Sequence, residues 1–270
     1  MRFTNFFYKI LVVLALIFTN SYAKKETIEL FIFPYTQPGK LIKQHKELSA
    51  YLAKELKQAI SIVSSRNIPK YIESITKRSH PILLTAPHVG RFAQVHAGYK
   101  PVAISVQDIR GYFIVKKNSS MKTLADAKNK ILSMAPAFAI VSQIAIRDLK
   151  NKGIKVGKNL THLVTKSHAH ALAECIKGKS DLALIGINIW RTLPFQKRQN
   201  LRILQRTSKT PGFMVMAHPS LASKFIKKVK KALLKFHASD KDKSYLFRAF
   251  KPLNQKTLQS FDSFMPKLLK

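Results

Sequence analysis

The stretch 163-LVTKSHAHALAECIKGKSDLALIGINIW-190 holds two histidines, a glutamate and the chain's single cysteine within the eight residues from His168 to Cys175. Three kinds of chemistry fit such a set: a metal site, a thiol nucleophile with a histidine base, or one wall of a binding cleft. Zinc needs ligands that converge on a tetrahedron. Two histidines two apart on a regular helix point about 200° apart, so His168 and His170 meet one ion, with Glu174, only if His168 lies just outside the helix. A thiolate nucleophile needs an accessible sulfur beside its base. Cys175 follows His168 by seven residues, which on a helix is two turns and about 10 Å of rise. Burial beside Leu172 and Ile176 is its expected fate. The chain contains no Gly-x-Ser-x-Gly, no phosphate-cradling glycine loop and no His-Glu-x-x-His. Nine glycines and 13 acidic residues leave little material for such sites. A binding protein is expected rather than an enzyme, with no catalytic residue, metal or cofactor.

The compartment narrows the choice. The N-terminus, MRFTNFFYKILVVLALIFTNSYAKK, carries Arg2 and Lys9, an apolar run from Ile10 to Phe18, and Ser21-Tyr22-Ala23 as a small-x-small cleavage signal. This reads as a signal peptide cleaved after Ala23, its apolar run about half the roughly 20 residues that a membrane span needs. Export to a bacterial periplasm is expected. One cysteine makes no internal disulfide, so the fold must rest on its core. The 46% apolar content suffices for one large or two small cores. The net charge of +35 suits acidic partners. In an exported chain it favours contact with an anionic membrane surface over nucleic acid, beside the plainer reading that most of these lysines are solvated faces of helices. In 220-SLASKFIKKVKKALLKFHAS-239, Leu221, Phe225, Val229, Leu233 and Phe236 form one apolar stripe with lysines on the other faces, the pattern of a packed surface helix.

Between these ends, short strands alternate with helices. Strands are predicted over 27–34, 59–64, 81–85 and 101–105, with helices over 41–57, 69–77 and 87–97 between them. A second series follows: strands over 111–115, 130–134, 159–164, 182–187 and 201–204, a helical turn over 123–127, and helices over 140–152 and 168–177, the last stopped by Gly178. A last strand over 213–216 leads to terminal helices. Such βαβ order implies parallel sheets covered by helices on both faces. Two strand segments, near 110–115 and 201–216, join the two units, so the chain leaves the first, builds the second and returns. That is the organisation of a hinged binding protein with a cleft between lobes.

The pieces resemble a known family. The opening 32-IFPYTQPGKL-41, the segment 86-APHVGRFAQVHAGYKPVAI-104, the crossover 111-GYFIVKKNSSMKTLADAKNK-130 and 167-SHAHALAECIKGKSDLALIG-186 are similar, in order and spacing, to segments of the phosphate/phosphite/phosphonate substrate-binding proteins of ABC transporters. The resemblance covers roughly 28–234. It implies an α/β, two-lobed type 2 periplasmic binding fold, each lobe a mostly parallel sheet flanked by helices, with two crossover strands as the hinge. The lobes would be 24–109 with 207–270, and 110–206. It places His168 at the family's ligand-contacting histidine, at a helix start where main-chain N–H groups and the dipole favour an anion, and Asp181 at a structural aspartate.

This sequence departs from the pattern at the site. The family's Ser-Thr-Ser run falls on Phe138, Ala139 and Ile140, its Gly-Pro-x-x-Tyr tyrosine on Gly90, and its acid after 182-LALIG on Gly186, Ile187 or Asn188. Each hydrogen bond lost to a buried oxyanion costs about 1.5–3 kcal/mol. Main-chain N–H groups at 139–142 remain as anion donors, Phe138 with Trp190 could line an apolar pocket, and Ser142 and Gln143 supply polar contacts if the helix start is shifted. The ligand contacts implied are Tyr35, Thr36, Pro87 and His88 from one lobe and Phe138, Ser142, His168 and Asn188 from the other. The expected function is capture of a small, phosphate- or phosphonate-like anion and its delivery to a membrane permease by a monomeric protein. The alternative keeps the fold and changes the partner to a membrane sensor protein, with a changed or more apolar ligand.

Overall fold

The structure, a computed structural model, describes residues 27–239 and 247–268. The expected signal peptide and its cleavage site lie outside the described residues.

The first α/β unit begins with β1 (Ile28–Ile32), α1 (Pro38–Leu56), β2 (Ile60–Ser64), α2 (Ile68–Thr76), β3 (Ile82–Thr85), α3 (Pro87–Ala97) and β4 (Lys100–Ser105). Proline stands at the first turn of each of these helices, where its missing N–H costs nothing. Helix α1 buries Leu41, His45, Leu48, Leu52 and Leu56, a spacing of three and four that makes one inward stripe. The chain then enters the second unit: β5 (Gly111–Lys116), a 3₁₀ turn (Leu124–Ala127), β6 (Ile131–Met134), α4 (Ile140–Asn151), β7 (Thr161–Val164), α5 (His168–Ile176), β8 (Leu182–Gly186), α6 (Ile187–Thr192), α7 (Phe195–Arg198) and β9 (Leu201–Arg206). It returns through β10 (Met214–Ala217) and α8 (Ser223–Lys235) to β11 (Phe250–Lys251), α9 (Gln255–Gln259) and a 3₁₀ segment, Asp262–Leu268.

The described strands form two mixed sheets, ordered β11-β4-β10-β3-β1-β2 and β7-β6-β8-β5-β9. In the first, β1 to β4 run one way, while β10 is inserted between β3 and β4 and runs against both. In the second, β6, β7 and β8 are parallel and β5 runs against β8 and β9. The mostly parallel expectation thus holds for most strands: β10 and β11 run against β1 to β4 in the first sheet, and the entering strand β5 runs against β6 to β9 in the second. Strand β10 (MVMA) is buried throughout, as a strand covered on both faces must be.

Two crossovers connect the sheets and run beside each other. Ile109 and Thr210 exchange main-chain hydrogen bonds of 2.8 and 3.0 Å, and the Gly111 N–H donates to Thr207 Oγ1 at 2.8 Å. Gly111 is pressed from three sides: a Cβ there would lie 2.8 Å from Val141 Cγ1 and 3.0 Å from both Leu184 Cδ1 and Thr207 Cγ2.

Helix α8 is packed as its stripe predicts. Val229, Leu233 and Phe236 are buried, Leu221 and Phe225 half-buried. Tyr51 of α1 donates its hydroxyl proton to the Ala232 carbonyl at 3.1 Å. Asp181 is structural as well: its carboxylate accepts the Ile131 N–H at 2.7 Å, holding β6 to the chain that enters β8.

A Gly111→Ala substitution should therefore destabilise the fold by about 1–3 kcal/mol, the usual cost of forcing a methyl into a filled space. Urea unfolding followed by circular dichroism measures it; an unchanged midpoint would show that the crossover relaxes around the methyl.

Candidate functional site

Helix starts from both units meet at one seam. Helix α3 follows β3 through Ala86 and Pro87, neither of which has a capping side chain, and no described residue accepts the main-chain N–H of His88 or Val89. On the other side α4 begins after the loop 135–139 with Ala139 at its cap and no side-chain acceptor. The N–H groups of Ile140, Val141 and Ser142 likewise have no acceptor among the described residues. Uncapped N–H groups at a helix start carry the positive end of its dipole.

His88 crosses the seam. Its Nε2–H donates to the Phe138 carbonyl at 3.0 Å, while the imidazole is 1% exposed. Burial pushes its pKa down to about 4, although the carbonyl bond favours the charged ring. The ring is neutral, and its Nδ1 is buried without a partner. The same Phe138 carbonyl accepts the Gln143 amide at 3.1 Å. That amide reaches the Phe264 carbonyl at 3.4 Å, and Gln143 Oε1 is also buried unpartnered. Phe264 belongs to the C-terminal 3₁₀ segment, which Asp262 ties to α3 through a 2.6 Å ion pair with Arg91. The Arg147 guanidinium lies 5.3 Å from the centre of the Phe264 ring, and Asp148 accepts the Ser208 N–H at 2.6 Å. Helix α4 is thus fastened to the first unit along its length.

Ser142 does not join this cleft-facing set. Its hydroxyl donates to the Ala135 carbonyl at 2.9 Å and is fully buried, which closes the loop before α4. The Ser142 hydroxyl is thus turned inward, while the amide of its neighbour Gln143 faces the seam. Gly90 was never a mere deletion of the tyrosine: a Cβ there would stand 3.0 Å from Met214 Sδ and 3.3 Å from Thr85 Cγ2, so Met214 fills the space.

Tyr35 sits at the end of β1 with its hydroxyl 3.1 Å from Gln44 Oε1 and 3.0 Å from His45 Nε2. Its ring centre is 5.7 Å from that of Phe213 and 6.0 Å from that of Phe247. Burial drives the His45 pKa down to about 3. Thr36 follows, half-buried.

Across the second sheet, His168 opens α5 and is half-buried, its Nδ1–H donating to the Leu184 carbonyl at 3.3 Å. Burial lowers its pKa. Ser167 caps the helix by accepting the His170 N–H at 3.2 Å. Asn188 joins His168 over Gly186, where a Cβ would meet Asn188 Oδ1 at 2.8 Å and His168 Cδ2 at 3.9 Å. Only glycine lets these two side chains gather there.

The other readings of the histidine cluster find no geometry. His170 is exposed, and Glu174 carries Lys177 and Lys179 at 3.6 and 3.7 Å. Among the described residues no group of three His, Cys, Asp or Glu side chains could hold a metal ion. Cys175 is buried, with its thiol pKa pushed up to about 11 by burial. Leu172 covers it, but Ile176, expected beside it, is 41% exposed. Trp190 packs against the cluster of Tyr112, Leu172 and Cys175, and the Arg198 guanidinium lies 6.0 Å from its ring centre.

Two α/β units, two adjacent crossovers, and helix starts facing one another at the carboxyl ends of parallel strands define a type 2 periplasmic binding protein. Residues 30–258 match the family model described as the periplasmic substrate-binding protein of the phosphonate ABC transporter. The chain belongs to that family, whose members bind a small solute for an ABC permease. The fold is shared with PhnD1 from Prochlorococcus marinus, solved in complex with methylphosphonate, at a TM-score of 0.72 and 17% identity over 91% of this chain and 99% of that one. A binding protein component of an ABC phosphonate transporter from Pseudomonas aeruginosa matches at 0.73 and 14% identity, over 90% of this chain and 88% of that one. The periplasmic aliphatic sulphonate binding protein of Escherichia coli matches at 0.60 and 20% identity, over 90% and 93%. No curated protein matches the chain by sequence.

The buried His88 sets a pH response. In the unfolded chain the imidazole takes its proton near 6.5, in the folded one only near 4. Between these values the unfolded state binds more protons, so stability falls as pH drops through that window, by about 3 kcal/mol from this group at most. Melting curves from pH 7 to pH 4 should show a smaller acid loss in His88→Asn than in the wild type, with the His45 contribution common to both. Equal losses would mean that His88 is protonated without cost in the fold.

Proposed function

We propose that this protein captures a small oxyanion between two lobes, 24–109 with 207–270 and 110–206, and delivers it to the permease of an ABC transporter. The observation that carries the reading is the seam itself: α3 of one lobe and α4 of the other present unclaimed N–H groups on the two sides of the bond from His88 to the Phe138 carbonyl. Main-chain donors replace the hydroxyls that Phe138, Ala139 and Ile140 cannot supply, which a helix start can do for a phosphate-like group. Tyr35, Thr36, Pro87 and His88 line the first lobe; Phe138, Gln143, His168 and Asn188 line the second. Ligand that bridges the lobes stabilises the closed form, and closure is the state read by the permease. The phosphonate and sulphonate named for the similar folds support tetrahedral oxyacids as the class to try first. The protein works as a monomer exported by a leader cleaved after Ala23, and its basic surface meets the anionic face of the membrane.

A thermal-shift panel on the chain from Lys24 tests this, with phosphate, phosphite, methylphosphonate and methanesulfonate against amino acids and zinc. A ligand at about 100 times its Kd adds about 2.7 kcal/mol, a rise of about 5–10 °C in Tm for a chain of this size. His168→Ala should weaken the responding ligand at least tenfold in calorimetric titration. Ser142→Ala should leave the affinity alone and cost about 1 kcal/mol of stability, the worth of its inward hydrogen bond. A panel in which zinc or an amino acid responds and no oxyacid does would overturn the reading.

A further inference from the structure

Three buried side-chain polar atoms lack a partner among the described residues: Thr85 Oγ1, His88 Nδ1 and Gln143 Oε1. Thr85 ends β3 inside the first unit, whereas His88 at the start of α3 and Gln143 in the first turns of α4 lie on the two sides of the seam. Two of them have a fixed chemical character. The His88 Nε2 faces the Phe138 carbonyl, so that nitrogen holds the ring's proton and Nδ1 offers a lone pair. The Gln143 nitrogen faces two carbonyls, those of Phe138 and Phe264, so its Oε1 is also an acceptor. Both side chains are 1% exposed. They come from opposite units and converge on one carbonyl beside the uncapped start of α4.

Unmatched buried acceptors are costly, and folded proteins rarely keep them. A fully ionised oxyanion does not relieve them, because it would set lone pair against lone pair. A ligand bearing its own hydrogen-bond donor does. Building on the capture of an oxyacid proposed above, the geometry points to a ligand that carries a proton donor, given to the acceptor pair His88 Nδ1 and Gln143 Oε1, while the N–H groups of the helix starts take its oxygens. The donor has two possible sources with the same chemistry: the acid's own P–OH in a monoanion, or a hydroxyl or ammonium group on its substituent. Specificity of this kind is strong because a ligand without the donor leaves buried acceptors stranded.

Calorimetric titration of the mature chain at about pH 6 and about pH 9 separates the sources. Methylphosphonate keeps a P–OH at the lower pH and loses it at the higher; methanesulfonate has no donor at either. Ethanesulfonate is compared with its 2-amino and 2-hydroxy derivatives, which carry a donor on the substituent. If the acid hydroxyl is the donor, methylphosphonate binds at least tenfold more tightly at pH 6 than at pH 9, a change methanesulfonate does not share. If the substituent is the donor, the amino or hydroxy sulfonate exceeds ethanesulfonate at least tenfold at pH 6. Methanesulfonate reports any titration of the protein itself, that of His168 on α5 included. The charged pairs around the seam are Arg91 with Asp262 and Arg147 with Asp148. Gln143→Met, which keeps the volume and removes the acceptor, should shrink the preference for donor-bearing over donor-free acids at least fivefold. Donor-free and donor-bearing acids binding alike would overturn the proposal and leave oxyanion capture standing, with water on the acceptors. Silence toward every acid would overturn both.

Discussion

The Phe138 carbonyl is the point at which the two halves of the molecule are joined beside the site. It lies just before α4 and accepts two donors, His88 from the first unit and Gln143 from its own helix. A carbonyl has two lone pairs, so one peptide group can serve both. The arrangement asks nothing of the side chain at position 138, which is why a phenylalanine can stand where a hydroxyl would be expected. It does require a histidine and a glutamine to be buried. Each brings a second polar atom that the protein leaves unmatched, and the chemistry of the cleft follows from that imbalance.

The alternation of strands and helices was readable because each element has a period and a boundary. Proline opens α1, α2 and α3, and Gly98, with φ of 70°, ends α3 in a conformation that suits glycine. What could not be read was pairing. Strand β10 lies between β3 and β4, more than a hundred residues away along the chain, and its apolar run MVMA looks the same in either direction. Helices α6 and α7 and strand β11, of six, four and two residues, are too short for a period to emerge.

For the candidate site the limit is rotational, because one residue is about 100° on a helix. Ser142 and Gln143 are neighbours on α4; the first turns to the Ala135 carbonyl and the second to the seam. The same limit applies to Cys175 and Ile176 on α5, one buried and the other exposed. Where a glycine restricts the geometry, the placement is sharper. His168 and Asn188 gather over Gly186 because a Cβ there would collide with the Asn188 amide. His88 was assigned to the ligand; that it also spans the seam depends on how the units approach each other, which no local pattern encodes.

The chain carries a net charge of +35, yet the histidines at the seam and beside it are held neutral. Burial lowers the pKa of His45, His88 and His168. The division of labour follows from distance. Lysines spread over the surface create a field that raises the local concentration of anions and speeds their arrival, but salt screens it over about 8 Å and it does not distinguish one anion from another. Discrimination falls to neutral dipoles inside the cleft: main-chain N–H groups that donate, and the His88 and Gln143 atoms that accept. A cation buried there would hold any oxyanion and would have to be desolvated first. Fixed dipoles of both signs instead require a ligand whose oxygens and donor are arranged to match them, so selectivity comes from the pattern of hydrogen bonds while attraction comes from the surface.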